Sequence, residues 1–412
     1  MERMEEKLAA LYGGEAGLQN ERYALQRARF NGKFGVDPEL FVSVPGRSEL
    51  GGNHTDHQNG CVLTAAVNLD TVAAVRKENG RITIVSEGYQ PFSVDIGETV
   101  PVPEEAGTSR AIVRGIAARM AQCGYRTGGF CATVASDVLP GSGLSSSASF
   151  EVLIGAIMNF LYNDASVHPD EIAKIGQFAE NEYFKKPSGL EDQMACALGG
   201  VSYIDFIDLG NPAYENIPFD LEEHGFVLCI TDTGGSHHDL TEEYSAITRE
   251  MGEVAGKLGQ KLLRFCDLSE FYRRLPALRT ECGDRAVLRA FHFFSENGRP
   301  KKMADALLKG DFTEYLNLVN ASGRSSFEYL QNVSVLGRPR EQSLGIGLAL
   351  SERVLSGRGA WRVHGGGFAG TIQAYVPLDL LETYKKTVEE VFGSGSCHVL
   401  NFRYTGPEAI YL

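Results

Sequence analysis

Apolar residues recur at helical spacing at Leu8, Leu11, Leu18, Tyr23 and Leu25, so residues 4–30 read as one or two helices broken at Gly13-Gly14. Residues 41–44 form a short strand that runs into Pro45-Gly46-Arg47, and the polar, glycine-rich stretch 51–60 is a loop. Residues 71–75 and 81–85 are rich in β-branched side chains, and Asn79-Gly80 between them predicts a hairpin. A helix over 109–123, capped by Thr108 or Ser109, precedes an apolar, β-prone segment at 129–138. Residues 150–161 again have helical spacing, and Pro169 opens a further helix to about Tyr183. Segments 199–206 and 225–231 are strand-like, with a polar, Pro-containing stretch at 208–223 between them. The second half is mostly helical, at 240–263, 284–296, 301–308, 312–322 and 342–355. It ends with a strand-loop-strand around 361–376, a helix at 378–391 and a strand near 398–402. No internal repeat or low-complexity tract interrupts this order. The fold class is α+β, with a boundary expected near residue 210.

At 412 residues the chain is long for one core, which agrees with two domains, 1–210 and 211–412. Its 43 % hydrophobic and 22 % charged residues are ordinary for a globular protein. A formal net charge of −14 argues against nucleic acid or an anionic membrane as the main partner, although a local loop can still bind a nucleotide phosphate. Residues 1–11 are charged, unlike a signal peptide, and no apolar run is long enough to span a bilayer. The eight cysteines are scattered without Cys-x-x-Cys pairs, the pattern of reduced thiols. A cytoplasmic enzyme is expected, with a monomer as the default state.

Between the strand at 129–138 and the following helix lies Leu-Pro-Gly-Ser-Gly-Leu-Ser-Ser-Ser-Ala-Ser, residues 139–149. Gly141 and Gly143 permit positive φ and close backbone approach to an anion. Successive N–H groups and the positive end of the next helix then face a phosphate. Ser145, Ser146, Ser147 and Ser149 add short hydroxyls for phosphate oxygen or a magnesium ion. An ordinary glycine turn with a serine cap shares part of this pattern, but the unbroken Leu144-Ser-Ser-Ser-Ala-Ser favours the cradle. No Lys follows the glycines, so this is not the Walker loop, and the spacing is not that of a dinucleotide fingerprint. The stretch resembles the phosphate loop of the GHMP small-molecule kinases, most closely that of galactokinases.

Three further groups carry that resemblance. Gly46-Arg47, then Gly52-Asn53-His54-Thr55-Asp56, is similar to the galactokinase signature Gly-Arg-x-x-x-x-Gly-Glu-His-Thr-Asp with no gap. The family Glu, which meets the sugar's 6-hydroxyl, is Asn53 here. Glu180 stands twelve residues before Asp192 in Gly189-Leu190-Glu191-Asp192-Gln193, the family's spacing for a magnesium carboxylate and a catalytic Asp. Glu191, next door, reads as a solvated neighbour. Finally His364-Gly365-Gly366-Gly367-Phe368-Ala369-Gly370-Thr371 resembles the third motif, Gly-Ala-Gly-Phe-Gly-Gly-Cys, from which Ala369 and Thr371 depart. Tyr244 occupies roughly the place of the family's sugar-contacting Tyr.

The resemblance covers about residues 47–371. It implies a two-domain GHMP kinase, ribosomal-S5-like then ferredoxin-like, with its site in the cleft between. It also implies ATP and Mg2+ as cofactors and a sugar as the acceptor at its anomeric hydroxyl. Asp192 and Arg47 would be catalytic; Asn53, His54, Thr55, Asp56 and Tyr244 would bind sugar. Gly141, Ser142, Gly143, Leu144, Ser145, Ser146 and Ser147 would bind ATP, and Ser147 and Glu180 the metal. Galactose comes first as substrate; galacturonate, arabinose or N-acetylgalactosamine stay open because of Asn53. A non-catalytic sugar and ATP sensor is the other alternative, although known sensor relatives lack the Ser-Ala pair present here at Ser147-Ala148.

Overall fold

The structure, a computed structural model, describes residues 2–139, 141–235 and 240–412; Pro140 of the expected phosphate loop lies outside them. Strands β1 to β7 are Leu40–Gly51, Cys61–Glu78, Arg81–Ser86, Phe92–Asp95, Gly129–Ser136, Val201–Asp205 and Ala213–Ile217. Strands β8 to β12 are Phe226–Asp232, Ala360–Val363, Thr371–Pro377, Cys397–Leu400 and Glu408–Tyr411. Eight of them build one sheet in the order β12-β1-β2-β5-β3-β4, with β6 on the remaining length of β2 and β7 on β6. Its pairs are antiparallel apart from β3 with β5. The other four make an antiparallel sheet, β11-β8-β10-β9.

Both faces of the large sheet are covered, which is why β1 is buried along its whole length. Val42 and Val44 point to helices Ser109–Gln122, Ser146–Tyr162, Pro169–Ala179 and Glu191–Leu198, meeting Ile116, Val152 and Met194. Phe41, one residue along, points to the opposite face, where Tyr23 and Phe30 come from Ala16–Phe34. The two sheets share a core in which Leu63 and Val67 of β2 meet Leu228, Ile230 and Tyr375. Helices Thr241–Lys257, Leu268–Cys282 and Asp284–Glu296 form a separate apolar cluster.

The first strand does not stop at Val44. It continues through Pro45 and Arg47 with a register shift between them, so the apparent breaker is a β-bulge. Gly46 is needed there because a Cβ would lie 2.9 Å from Leu144 O of the neighbouring loop. The expected hairpin over 71–75 and 81–85 is corrected. Asn79-Gly80 does join β2 to β3, but β5 inserts between them and pairs with both. The turn wraps the start of β5 at Gly129, where a Cβ would sit 2.4 Å from Arg81 O. The expected boundary near residue 210 falls between β6 and β7, which pair with each other, and β12 returns to the same sheet from the C-terminus.

Candidate active site

The phosphate-loop stretch leaves β5, and Gly141 and Gly143 take φ of 75° and 74°. Ser145, itself left-handed at φ 58°, precedes helix Ser146–Tyr162. The loop is clamped from two sides. Arg47 N donates to Leu144 O at 3.0 Å, and Thr371 Oγ1 donates to Ser142 O at 2.7 Å. His364, buried and pulled to about 3 chiefly by that burial, is a neutral imidazole 3.1 Å from Ser142 O and 3.0 Å from Ser48 Oγ. The third glycine motif therefore packs directly on the first. Ser142 is turned inward onto Leu139 O, while Ser146 and Ser147 line a cavity of about 580 Å³. Its far wall is apolar, with Phe92, Ile112, Val134 and Phe150.

The hydroxyl of Ser145 turns the other way and donates to Asp192 Oδ2 at 2.5 Å. Asp192 lies in the first turn of Glu191–Leu198, and its Oδ1 accepts from Arg47 Nε at 2.9 Å and Nη2 at 2.5 Å. Arg47 Nη1 bonds Gly143 O, so one buried guanidinium ties strand, phosphate loop and carboxylate together. Burial pushes the Asp192 carboxyl up, but Arg47 and the Ser145 hydroxyl outweigh it and hold it below its ordinary value. The Asp192 side chain is 39 % exposed, towards a second cavity of about 380 Å³.

His54, Asp56, Tyr244, Gly365 and Gly366 line that second cavity. His54 Nε2 lies 2.9 Å from Gly366 O, and burial pulls its imidazole below the ordinary value. Tyr244 donates to Gly367 O at 2.8 Å and stands edge-on to Phe368; burial pushes its phenol up to about 12. Two expected sugar contacts look elsewhere. Asn53 lines the cavity, but its amide donates to Glu49 at 3.1 Å and Gly365 O at 2.8 Å. Its carbonyl oxygen accepts from Ser326 and Asn332, so its bonding capacity is taken up by protein. Thr55 is fully buried, with its hydroxyl between Gly52 O and Cys61 O at 2.8 and 2.7 Å, and it does not line the cavity.

Glu180 opens a single π-turn, Glu180–Phe184, that continues the helix Pro169–Ala179. With Lys186, 2.9 Å away, it lines both cavities. Gln193 Nε2 donates to Glu180 Oε2 at 3.0 Å and to Glu151 Oε2 at 2.8 Å. Burial, and then the Glu180 charge, push the Glu151 carboxyl well above the ordinary range.

Residues 28–77 match the galactokinase galactose-binding signature, and residues 111–200 match the GHMP kinase N-terminal domain. The galactokinase of Streptomyces coelicolor is 30 % identical over 369 residues, which span 89 % of this chain and 92 % of that protein. The chain belongs to the galactokinase family. The crystal structure of Lactococcus lactis galactokinase complexed with galactose is similar at a TM-score of 0.78 and 25 % identity, over 94 % of this chain and 99 % of that one. Methanococcus jannaschii mevalonate kinase shares the fold, with a TM-score of 0.57 and 15 % identity over 89 % and 98 % of the two chains. This galactokinase-family chain is thus a sugar-kinase phosphotransferase with the α+β GHMP fold.

Within that family frame, the structure adds residues that the sequence did not single out. Glu151 stands four positions after Ser147 on one helix, a spacing that places both on the same face. Glu49, two residues beyond Arg47 on the same strand, lines the second cavity and is held by Arg362 at 2.6 Å. Glu191 is corrected: it is not a solvated neighbour of Asp192 but 5 % exposed. Its helix packs on both β1 and Ser146–Tyr162, and within one turn Glu191 is buried while Asp192 stays partly open to the cavity. Among the described residues, no helix is long and apolar enough to cross a membrane.

Proposed function

We propose that this chain transfers the γ-phosphoryl group of ATP to the anomeric hydroxyl of galactose, giving galactose 1-phosphate. One observation supports this most: the serine-lined cavity and the polar cavity meet along Glu180 and Lys186, and the Arg47–Asp192–Ser145 group joins the phosphate loop to the second. In this reading the nucleotide fills the larger cavity. Its phosphates lie on the loop from Gly141 to Ser147 and on the N-terminus of the following helix. The sugar fills the smaller cavity against His54, Asp56 and Tyr244. Residues 1–210 then supply the loop and the catalytic pair, while 211–412 close the sugar side through Tyr244, Gly365 and Gly366.

Asp192, kept ionised by Arg47, accepts or orients the proton of the anomeric hydroxyl, with its exposed edge towards the sugar. Arg47 also faces the charge that develops on the transferring phosphoryl oxygens. The donors near Ser147 suit magnesium. They are hard oxygens, and two buried carboxylates sharing one Gln193 amide repel each other in a way a divalent ion relieves. Ser147 and Glu180 would hold such an ion, with Glu151 behind them, and it would supply neutralisation of phosphate charge.

Galacturonate loses ground as the acceptor. The amide at Asn53 is already bonded, and the Glu49 carboxylate stands 3.1 Å from it. A sugar carboxylate arriving there finds no free N–H donor on that amide. The test is coupled ATP turnover with magnesium across galactose, galacturonate, arabinose and N-acetylgalactosamine. Galactose should give the highest kcat/KM of the four; a lead for galacturonate would overturn the assignment of substrate, and no turnover with any sugar would overturn the kinase reading.

A further inference from the structure

Residues 139–149 include no Lys or Arg, so the phosphate loop offers hydroxyls and backbone N–H groups but no side-chain cation. Among the described residues that line the larger cavity, Lys186 is the one Lys or Arg. It lines the second cavity as well, and its side chain is 60 % exposed, open to a ligand in either. Arg47 lines the second cavity only. The local backbone brings Lys186 to this place. Lys185 closes the π-turn Glu180–Phe184 in a left-handed conformation at φ 69°, and Lys186 N then donates to Glu180 O at 3.2 Å. The ammonium has three N–H donors and spends one on Glu180 Oε1 at 2.9 Å. Partial burial pulls its pKa down, but the charges of Glu180, Asp192 and Glu151 outweigh burial and hold it above the ordinary lysine value. The side chain is therefore a cation at the seam of the two cavities, with donors to spare.

Resting on the reading of the larger cavity as the nucleotide site, we propose that Lys186 is a further catalytic residue, whose ammonium bonds an oxygen of the γ-phosphoryl group of ATP. Such a contact is a charge-assisted hydrogen bond. With Arg47 on the sugar side, Lys186 sets a second cation against the oxygens of the transferring group. In that step the bond from the γ-phosphorus to the ADP oxygen breaks as the bond to the anomeric oxygen forms. The proton of the hydroxyl leaves by way of Asp192, and Lys186 keeps its own. An ion pair with Glu180 that served only to hold the π-turn would leave the protein indifferent to the number of phosphates on its nucleotide.

The test is calorimetric titration of the intact protein, with magnesium, against ADP and against a non-hydrolysable ATP analogue. Turnover with galactose is measured in parallel on the same samples. In Lys186→Met, affinity for the analogue relative to ADP should fall by about 10-fold, the worth of one charge-assisted hydrogen bond. Its kcat should fall by about 10²-fold. Lys186→Gln should show the same losses, and Lys186→Arg, which keeps the cation, should restore most of the affinity ratio. Melting curves establish which variants are folded. An unchanged ratio in whichever uncharged variant folds, or a fall that Lys186→Arg shares in full, overturns the proposal. A Lys186-dependent ratio without phosphorylation of any sugar leaves the γ-phosphoryl contact standing and removes the sugar-kinase reading. Phosphorylation of galactose with a ratio indifferent to Lys186 does the reverse.

Discussion

Replacing Arg47 by Met tests the electrostatic logic of the site. Arg47 makes two bonds to Asp192 and one to Gly143 O, and Met keeps much of the volume while removing all three. A contact pair of unit charges is worth about 4 kcal/mol at an effective dielectric of about 20. Asp192 is 39 % exposed, so solvent screening brings this down to about 1–2 kcal/mol. At 1.36 kcal/mol per unit, the Asp192 pKa should rise by about one unit once Arg47 is gone. The sign is fixed. Burial alone pushes this carboxyl up, and Arg47 is the largest opposing influence. Activity needs the ionised form, so the acid limb of the kcat/KM profile should move to higher pH by about one unit. A second loss, of about 10²–10³-fold in kcat at every pH, follows from removing a cation aimed at the phosphoryl group. The assay is the pH–rate profile of folded Arg47→Met beside the natural chain. A uniform fall in rate with the acid limb unmoved would refute the claim that Arg47 sets the ionisation of Asp192.

Other substitutions probe the supports of the site. Ser145→Ala removes the hydroxyl on Asp192 Oδ2 and should lower kcat by about 10-fold, with the KM for ATP changed little; steady-state kinetics that show the opposite split would assign Ser145 to the nucleotide instead. Gly46→Ala places a Cβ 2.9 Å from Leu144 O and should raise the KM for ATP while costing about 1–3 kcal/mol of stability, read by urea unfolding. Buried Asp70, bonded to Arg22 at 2.6 Å and to Arg403 at 3.1 Å, has a pKa held below its ordinary value by those two arginines against its burial. Its contribution is present above the unfolded carboxylate value of about 3.9 and is lost as pH falls through the lower folded value, so acid unfolding of Asp70→Asn should show a shallower pH dependence than that of the natural chain.

Local chemistry was legible wherever a single turn or cap decides the structure. The positive φ at Gly141 and Gly143, the Thr108 cap and the helix opened by Pro169 all rest on neighbours within a few residues. The pairing of Arg47 with Asp192, 145 positions apart, came from motif resemblance and not from any local pattern. What escaped depends on distant partners. Asn79-Gly80 signals a tight turn truthfully, yet says nothing of β5, which arrives from residue 129 to part the two strands. The helix Leu268–Cys282 was hidden by Pro276 in its interior, where a proline ordinarily ends a helix. β12 is only four residues long, and it exists because β1 offers an edge. Glu191 carries an exposed residue's chemistry into a buried place, which only the packing of its helix discloses.

The central claim, that Asp192 directs phosphoryl transfer to the anomeric oxygen, is most directly tested by phosphorus NMR of the product formed from galactose, ATP and magnesium, compared with that from Asp192→Asn. The account predicts a single sugar phosphate coupled to the anomeric proton from the natural chain, and a rate at least about 10²-fold lower from a folded Asp192→Asn that still binds ATP. Phosphate on any other hydroxyl, or a variant that makes galactose 1-phosphate at near the natural rate, would contradict it.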